Sequence, residues 1–387
     1  MIIIIQCLKK IFSGEKITPE LKAIKKDLIK KLRPTIHENQ LNDVERDLVA
    51  SIRQETKNRN IDNVSRTDAY LDFYKKYPEI HWAFLGHMVS RNGGWNMTDL
   101  KGSMLTRLLS EKEQADFFAF LERGNWLIFQ DIYPQMLLYA ESVERNTNLF
   151  YLLPMFHVSF FMGVIWNHFY RVKDEYVLAM ALIVNEQSYL EKRVIQNPYY
   201  QKTVLEKLEF KLQELLELNQ IIFPYFDGKE VKMIGQTIQQ FGSLSDRILL
   251  GKRLYQILFD PENYPSIYRW ATLHKHTGSR KDFWPQLFND INEADPWDSY
   301  QRRIKDCRLK PGAPKLYSPI LSHAWDHVEQ KKAEIGEWYA NWKVIHYLNR
   351  DDSKTNGDIY HEYCKTLERI EIAILAKGAF SPKKAAH

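Results

Sequence analysis

Apolar residues recur at helical spacing along almost all of the chain beyond residue 38. In "LEKLEFKLQELLELN", residues 205–219, most of them fall three or four positions apart, as one face of an α-helix requires. Ser110 followed by Glu113 forms a capping box ahead of another apolar run. The period-two alternation between tight turns that indicates strands is hard to find. The sequence therefore predicts an all-α fold.

A length of 387 residues allows about two structural units with cores of their own. A glycine-containing stretch at 227–243 is the candidate boundary between two packed multi-helix units. Gly124 and Pro134 are expected to divide a long run ahead of it into separate helices. The predicted parts are a basic N-terminal arm with helices at 1–60, a central helical domain with the signature motifs at 61–226, a C-terminal helical domain at 227–378, and a disordered tail at 379–387.

The positive charge of the chain lies in its N-terminal arm. Residues 1–33 hold nine Lys/Arg and three Asp/Glu, a net charge of +6, whereas the whole chain has +5. Thr18 and Pro19 are a suitable start for a basic amphipathic helix at 18–33. Such a helix can lie on an anionic membrane surface or along nucleic-acid phosphates. The alternative is a terminal helix that packs on the body and turns its lysines to solvent.

The three cysteines, Cys7, Cys307 and Cys364, are far apart and form no CxxC pair. This spacing excludes a framework of disulfides and a thiolate zinc site, and it fits a reducing compartment. The start "MIIIIQCLKKIF" lacks the basic region, apolar length and cleavage site of a signal peptide. The uncharged run 146–170 is interrupted by Pro154, and this break leaves a piece too short to span a membrane. We therefore expect a cytoplasmic protein, with peripheral membrane association through the arm as the alternative.

The stretch "HMVSRNGGWNMTDLKG", residues 87–102, is the most distinctive in the chain. Gly93 suits the left-handed residue that ends a helix, and Asn96 could cap the next one. Trp95 and Leu100 then fall at the positions of a hydrophobic staple. The pattern predicts a junction between two helices.

Candidate site residues come from that stretch and from two later ones. Glu186 follows eight consecutive apolar residues, so burial would raise its pKa and make it a candidate general base. Its structural alternative is a bond to another helix or to Arg193. His87 and Arg91 lie one turn apart on a buried helix, where Arg91 could hold an anion. The candidate catalytic residues are Glu186 and His87, and the candidate binding residues are Arg91, Asn92, Trp95, Asp99, Gln187 and Arg280.

His323 and His327 have the best spacing for a metal, since residues four apart share a helical face. Two ligands do not make a site, and no metal-binding motif supplies the others. The sequence therefore predicts no metal and no cofactor.

Four segments carry a family resemblance: "HWAFLGHMVSRNGGWNMTDLKG", "ALIVNEQSYLE", "GSRKDFWPQLFND" and "EIGEW". Together, over about residues 66–345, they resemble the bacterial YppC-type domain family of unknown function. The resemblance implies a cytoplasmic protein of spore-forming bacteria or their relatives. It implies no activity, cofactor or catalytic residue.

Three functions remain open from the sequence, and the chain shows no motif that makes it an enzyme. The first is a helical scaffold that binds a protein partner. The second is a binding protein or enzyme with a polar pocket in its helical core, with Glu186 as base and Arg91 as anion clamp. The third is association with an anionic membrane or with nucleic acid through residues 1–33.

Overall fold

The structure is a computed structural model that describes residues 17–30, 38–206, 220–228, 230–237, 241–293, 299–350 and 355–380. Helices dominate the described chain. The α-helices are α1 Pro19–Lys30, α2 Asp43–Arg59, α3 Asn63–Lys76, α4 His81–Asp99, α5 Leu105–Leu108, α6 Glu111–Glu144, α7 Phe160–Val172, α8 Glu175–Leu190, α9 Pro198–Tyr200, α10 Leu244–Leu258, α11 Tyr264–Leu273, α12 Leu321–Ala324 and α13 Tyr360–Phe380. Short 3₁₀ helices lie at Glu38–Gln40, Phe150–Phe156, Arg280–Asp282 and Trp342–Leu348, and π-helical turns at Glu191–Ile195 and Gln201–Leu205.

Three small two-stranded sheets within the described residues correct the all-α prediction to a mainly helical fold. Their strands are β1 Gln220–Asp227, β2 Glu230–Thr237, β3 Phe288–Asn289, β4 Ile304–Lys305, β5 Arg308–Leu309 and β6 Leu316–Tyr317. β1 pairs with β2 and β4 with β5 in antiparallel hairpins, whereas β3 and β6 are parallel. Asp227-Gly228 between two runs rich in large apolar residues is a hairpin signal, and Gly228 has the positive φ of +62° that such a turn needs. Pro224 and mixed burial hide the alternation of β1.

Helix α4 runs without interruption through Gly93, the predicted helix end, and through Gly94. A Cβ at Gly94 would lie 2.3 Å from Asn63 Oδ1 and 2.5 Å from His276 Nε2. The glycine therefore permits a close approach of α4 to α3 and to the loop at His276, and it serves that contact without breaking the helix. The predicted cap at Asn96 and the staple at Trp95 are wrong, because both residues lie inside α4.

Helix α6 is likewise continuous over 34 residues and contains both Gly124 and Pro134, so the predicted breaks are wrong. Leu127, Ile132 and Met136 are fully buried beside them, and this packing outweighs the loss of one backbone hydrogen bond at the proline. The predicted capping box at its start is confirmed: Glu113 N donates to Ser110 Oγ, and Ser110 N donates to Glu113 Oε2 at 3.0 Å.

The largest buried cluster contains side chains from most of the helices, including the first, α1, and the last, α13. Helix α1 begins where Leu21 N donates to Thr18 Oγ1, and it buries Leu21, Ile24 and Leu28. Most of the remaining arm, and the helix predicted at 205–219, lie largely outside the described residues. The division of the chain at residue 227 stays a prediction. Among the described helices, none has both the length and the apolar character needed to cross a membrane.

A disulfide joins Cys307, beside β5, to Cys364 on α13, with Cα atoms 5.2 Å apart. The cysteine spacing did not predict this pair, and its presence weakens the inference of a reducing compartment. The reason is that a separation of 57 residues along the chain says nothing about distance once the β4–β5 hairpin packs on α13. Cys7 lies outside the described residues.

Candidate functional site

A small cavity with a mixed polar and apolar lining lies where the C-terminal end of α4, the start of β1, the Arg280 turn and α13 meet. Its volume is about 20 Å³, which is enough for about one or two waters. Its polar lining residues include Asn96, Asp99, Gln220, Arg280 and Tyr363. Two of the quoted sequence motifs, those containing Asp99 and Arg280, therefore converge on one cavity.

Arg280 organises one side of this cavity with three hydrogen bonds. Its Nε lies 2.6 Å from Asp99 Oδ2, its Nη2 donates to Asn96 Oδ1 at 3.2 Å, and its Nη1 donates to the hydroxyl of Tyr363. Burial raises the pKa of Asp99 although Arg280 opposes the shift. Burial lowers the pKa of Arg280, but Asp99 outweighs it, so the net shift is upward. The two side chains form a neutral pair.

Gln220, the first residue of β1, lies in the cavity wall with 5% of its surface exposed. Neither its Oε1 nor its Nε2 has a hydrogen-bond partner among the described residues. An unpaired buried amide is costly, so a water or a ligand group is expected to satisfy it. Gln220 was not a sequence candidate, because a lone glutamine in an apolar run gives no signal.

His87 and Arg91 form a separate cluster deeper in the core. Thr67 O lies 2.8 Å from His87 Nδ1, and Arg91 Nε donates to His87 Nε2 at 3.0 Å, which assigns the proton to Nδ1. Burial and then Arg91 lower the pKa of His87 strongly, so the ring is neutral. Burial also lowers the pKa of Arg91 to about 10. Arg91 Nη2 donates to the carbonyl oxygens of Ala271 and His274, so this guanidinium chiefly braces the end of α11.

The two other candidates on α4 also bind neighbouring structure. Asn92 bonds to the backbone of Ile222 in β1 through both its Oδ1 and its Nδ2. Trp95 is fully buried and packs against Phe283, with ring centroids 4.5 Å apart. Its Nε1 has no partner among the described residues.

Glu186 lies near the other end of α4. Its Oε2 accepts from Trp82 Nε1 and its Oε1 from Gln187 Nε2, both at 3.1 Å. Burial raises the pKa of Glu186 to about 7. Gln187 in turn accepts from Arg247 Nε at 3.0 Å. Trp82 precedes Arg91 by nine residues, roughly 13 Å along a helix, and the hydrogen bonds of Glu186 and Arg91 share no partner among the described residues.

Asp131 is another carboxyl group whose pKa is raised by burial, and the sequence did not identify it as a candidate. Burial raises the pKa of Asp131 to about 7. Its Oδ2 accepts from Asn185 Nδ2 at 2.5 Å and from Gln135 Nε2 at 3.1 Å. Trp338 Nε1 donates to Asn185 Oδ1 at 2.9 Å, so the "VNEQ" and "EIGEW" motifs meet here. Those motifs were a signal for Asn185 and Trp338, whereas nothing in the sequence marked Asp131.

The histidine pair does not have the geometry that its spacing suggested. His323 lies in α12, which ends at Ala324, and His327 follows in chain without helical structure. The two do not share a helical face, so that interpretation is wrong. Across the described ranges, no three His, Cys, Asp or Glu side chains are grouped closely enough to hold a metal ion.

Comparison with known proteins places these motifs in a family. The family described as "Protein of unknown function (DUF2515)" matches residues 58–362, most of the chain. The chain belongs to this family.

A DUF2515 relative, the uncharacterized protein YppC of Bacillus subtilis (strain 168), is 44% identical over 237 residues, which is 61% of this chain and 73% of YppC. The resemblance read from the four motifs is thereby confirmed. No solved structure matches the chain. Of the cavity residues, Asn96, Asp99, Gln220 and Arg280 lie within the matched region, and Tyr363 lies one residue beyond it.

Proposed function

We propose that this DUF2515 protein binds a small neutral molecule, or the end of a larger one, that carries an amide-type group. The proposed site is the cavity between Asp99, Gln220 and Arg280. The observation that carries the proposal is the Gln220 side chain, which is buried in the cavity wall with both amide atoms unpaired among the described residues. Native proteins rarely leave such groups unsatisfied.

The charge of the site favours a neutral ligand. Asp99 and Arg280 neutralise each other at 2.6 Å, so neither a cation nor an anion finds an unpaired opposite charge in this pair. Gln220 offers one acceptor oxygen and two donor hydrogens. A carboxamide or urea group presents the matching donor and acceptor, and it can form paired hydrogen bonds with the glutamine amide.

The size of the cavity limits the affinity. A cavity with room for one or two waters takes in only part of a four-atom probe, so the binding free energy stays below the ceiling of about 6 kcal/mol and the Kd stays above roughly 40 µM. Binding of such a probe must therefore be measured at millimolar concentration. Tighter binding requires a ligand whose amide end enters the cavity while the remainder contacts the surface around it.

The test uses acetamide as the probe, with acetate as an isosteric anion, and follows saturable NMR shift changes of the full chain. Acetamide should saturate in the millimolar range or below, and acetate should bind at least tenfold more weakly. Gln220→Leu should abolish acetamide binding. The matched control is Gln236→Leu on β2, whose amide donates to the backbone of Asn356 outside the cavity.

Absence of saturable binding to the wild-type chain, or equal binding to Gln220→Leu, would show that only water occupies the cavity and would reject the proposal. The catalytic alternative is not favoured here, because Arg91 is bonded to backbone carbonyls and to His87. The scaffold interpretation and association through residues 1–33 stay predictions from the sequence.

A further inference from the structure

The Cys307–Cys364 disulfide lies in the wall of an open groove of about 880 Å³, separate from the Gln220 cavity. Cys307 follows the β4–β5 turn residue Asp306, and both residues have positive φ, +50° and +62°. Non-glycine residues adopt this conformation only at a cost. The hairpin thus holds the half-buried Cys307 beside its turn, in the wall of the groove.

The two cysteines differ in exposure. Cys364 is 3% exposed on α13, whereas Cys307 is only half-buried. A thiolate must approach a disulfide along the S–S axis and attack the sulfur it can reach. Because Cys307 is the more exposed of the two cysteines, attack from the groove is expected at its sulfur, with Cys364 as the leaving group.

The groove is positively charged around the disulfide. Its lining includes five Lys/Arg against three Asp/Glu. Lys305, Arg308 and Lys365 are exposed neighbours of the two cysteines, and none forms an ion pair with a described carboxylate. Of the three acidic residues, Glu368 is bonded to Arg302 at 3.0 Å and Glu230 lies 3.5 Å from Lys232. Asp306, next to Cys307, opposes the exposed cations Lys305, Arg308 and Lys365, which outnumber it. The Cys307 sulfur therefore lies in a field that attracts anions.

The hairpin does not depend on the disulfide alone for its position. Glu371 on α13 is fully buried and accepts from the backbone N–H groups of Arg303 and Ile304 at 2.6 and 3.0 Å. Its Oε1 also accepts from the Tyr300 hydroxyl at 2.9 Å. These charge-assisted bonds remain when the S–S bond is broken, so the two thiols stay close enough to re-form it.

We propose that this groove is a thiol–disulfide exchange site for anionic low-molecular-weight thiols. The thiolate of the small molecule attacks Cys307 Sγ, a mixed disulfide forms there, and Cys364 leaves as a thiolate that takes up a proton. A second small thiol then attacks the mixed disulfide. The products are the oxidised small-molecule disulfide and two protein thiols, so two electrons pass from two small thiols to the protein. The reverse sequence re-forms the Cys307–Cys364 bond.

The test uses the full chain with Cys7→Ser, which removes the third thiol. Reduction is started with glutathione, which is anionic, or with the neutral 2-mercaptoethanol or the cationic cysteamine, at equal thiolate concentration. Quenched samples are read by mass spectrometry. Glutathione should react fastest and cysteamine slowest, and the trapped mixed disulfide should map to Cys307.

Charge reversal provides the matched comparison. Lys305→Glu with Lys365→Glu should slow the glutathione reaction about tenfold, because two attractions at short range become repulsions. The same double variant should leave the rate of reaction with 2-mercaptoethanol unchanged within about twofold, because this thiol carries no other charge. Lys57→Glu with Lys202→Glu makes the same change in net charge at exposed positions outside the groove and should have little effect.

Three results would overturn the proposal. The first is an equal slowing by the groove and control variants, and the second is a mixed disulfide on Cys364. The third is a chain that keeps two free thiols in the presence of oxidised glutathione.

Discussion

Asn92 and Ile222 exchange two hydrogen bonds: Ile222 N donates to Asn92 Oδ1 and Asn92 Nδ2 donates to Ile222 O, both at 2.9 Å. The Asn92 amide thus pairs with the backbone N–H and C=O groups of Ile222 in β1, as a residue of a neighbouring strand would. Gln220 precedes Ile222 by two residues on the same strand. The Asn92–Ile222 pair therefore attaches the hairpin to α4 and positions Gln220 in the cavity wall.

Asn92→Ala should therefore destabilise the protein by about 2–4 kcal/mol, because it leaves both backbone groups of Ile222 buried and unpaired. Denaturant unfolding measures the loss, and hydrogen exchange at Ile222 N–H should accelerate. Asn58→Ala is the control, since Asn58 bonds only to Gln54 on an exposed face. A loss below about 0.5 kcal/mol for Asn92→Ala would contradict the bracing role.

Gly94→Ala should destabilise the protein by about 2 kcal/mol or more, since the new methyl group would separate Asn63 from His276, now 2.9 Å apart. Gly124→Ala is the matched control in a helix. Apart from the adjoining backbone of α6, no atom of the described residues lies within 4 Å of the added Cβ there, so that variant should gain up to about 1 kcal/mol from helix propensity. The two thermal-unfolding shifts should have opposite signs. A stabilised Gly94→Ala variant would refute the close approach of α4 to its neighbours.

Glu122→Ala should cost about 3–5 kcal/mol, because it leaves the guanidinium of Arg66 buried without its partner. The two groups lie 2.5 Å apart with 1% and 6% of their side chains exposed. Glu55→Ala removes a carboxylate from the exposed pair with Arg59 and should cost less than about 1 kcal/mol. Chemical denaturation compares the two variants, and similar losses would argue against a buried pair.

Asp131 should make the protein less stable as pH rises. Burial lifts its pKa from 3.8 to about 7, so the folded chain binds a proton that the unfolded chain has released between these values. This contribution is fully present below pH 3.8 and is lost as pH rises to about 7, with a slope of up to about 1.4 kcal/mol per pH unit. Asp131→Asn cannot ionise and should remove this slope.

Glu186 has a similarly raised pKa, so Glu186→Gln added to Asp131→Asn should flatten the pH profile further. Urea unfolding at several pH values between 4 and 8 provides the measurement. If Asp131→Asn and the wild-type chain lose stability in parallel over that range, Asp131 is ionised in the folded protein.

Local signals predicted the parts of this fold that depend on near neighbours in sequence. The capping box of Ser110 and Glu113 is an exchange of bonds over three residues, so the sequence shows it completely. The helical content follows from periodicity in the same way. The sequence also indicated the partial burial of Glu186, because the apolar run before it is continuous.

The predictions are wrong where contacts with a segment distant in sequence override the local preference of a residue. Gly93 and Gly94 look like the end of a helix, but His276 and Asn63 explain why a helix needs glycine there. Pro134 looks like a break, and packing on both sides of α6 overrides it.

The sequence by itself determined a mainly helical chain of the DUF2515 family and supplied Asp99 and Arg280 as separate candidates. Only the tertiary structure decided that these two residues, 181 positions apart, form one neutral pair, and that Gln220 lies beside them with an unpaired amide. The physical reason is the separation along the chain of the residues that interact. Helix formation is set within a few residues, whereas charge neutralisation, burial of an amide and the meeting of two cysteines depend on which segments pack together.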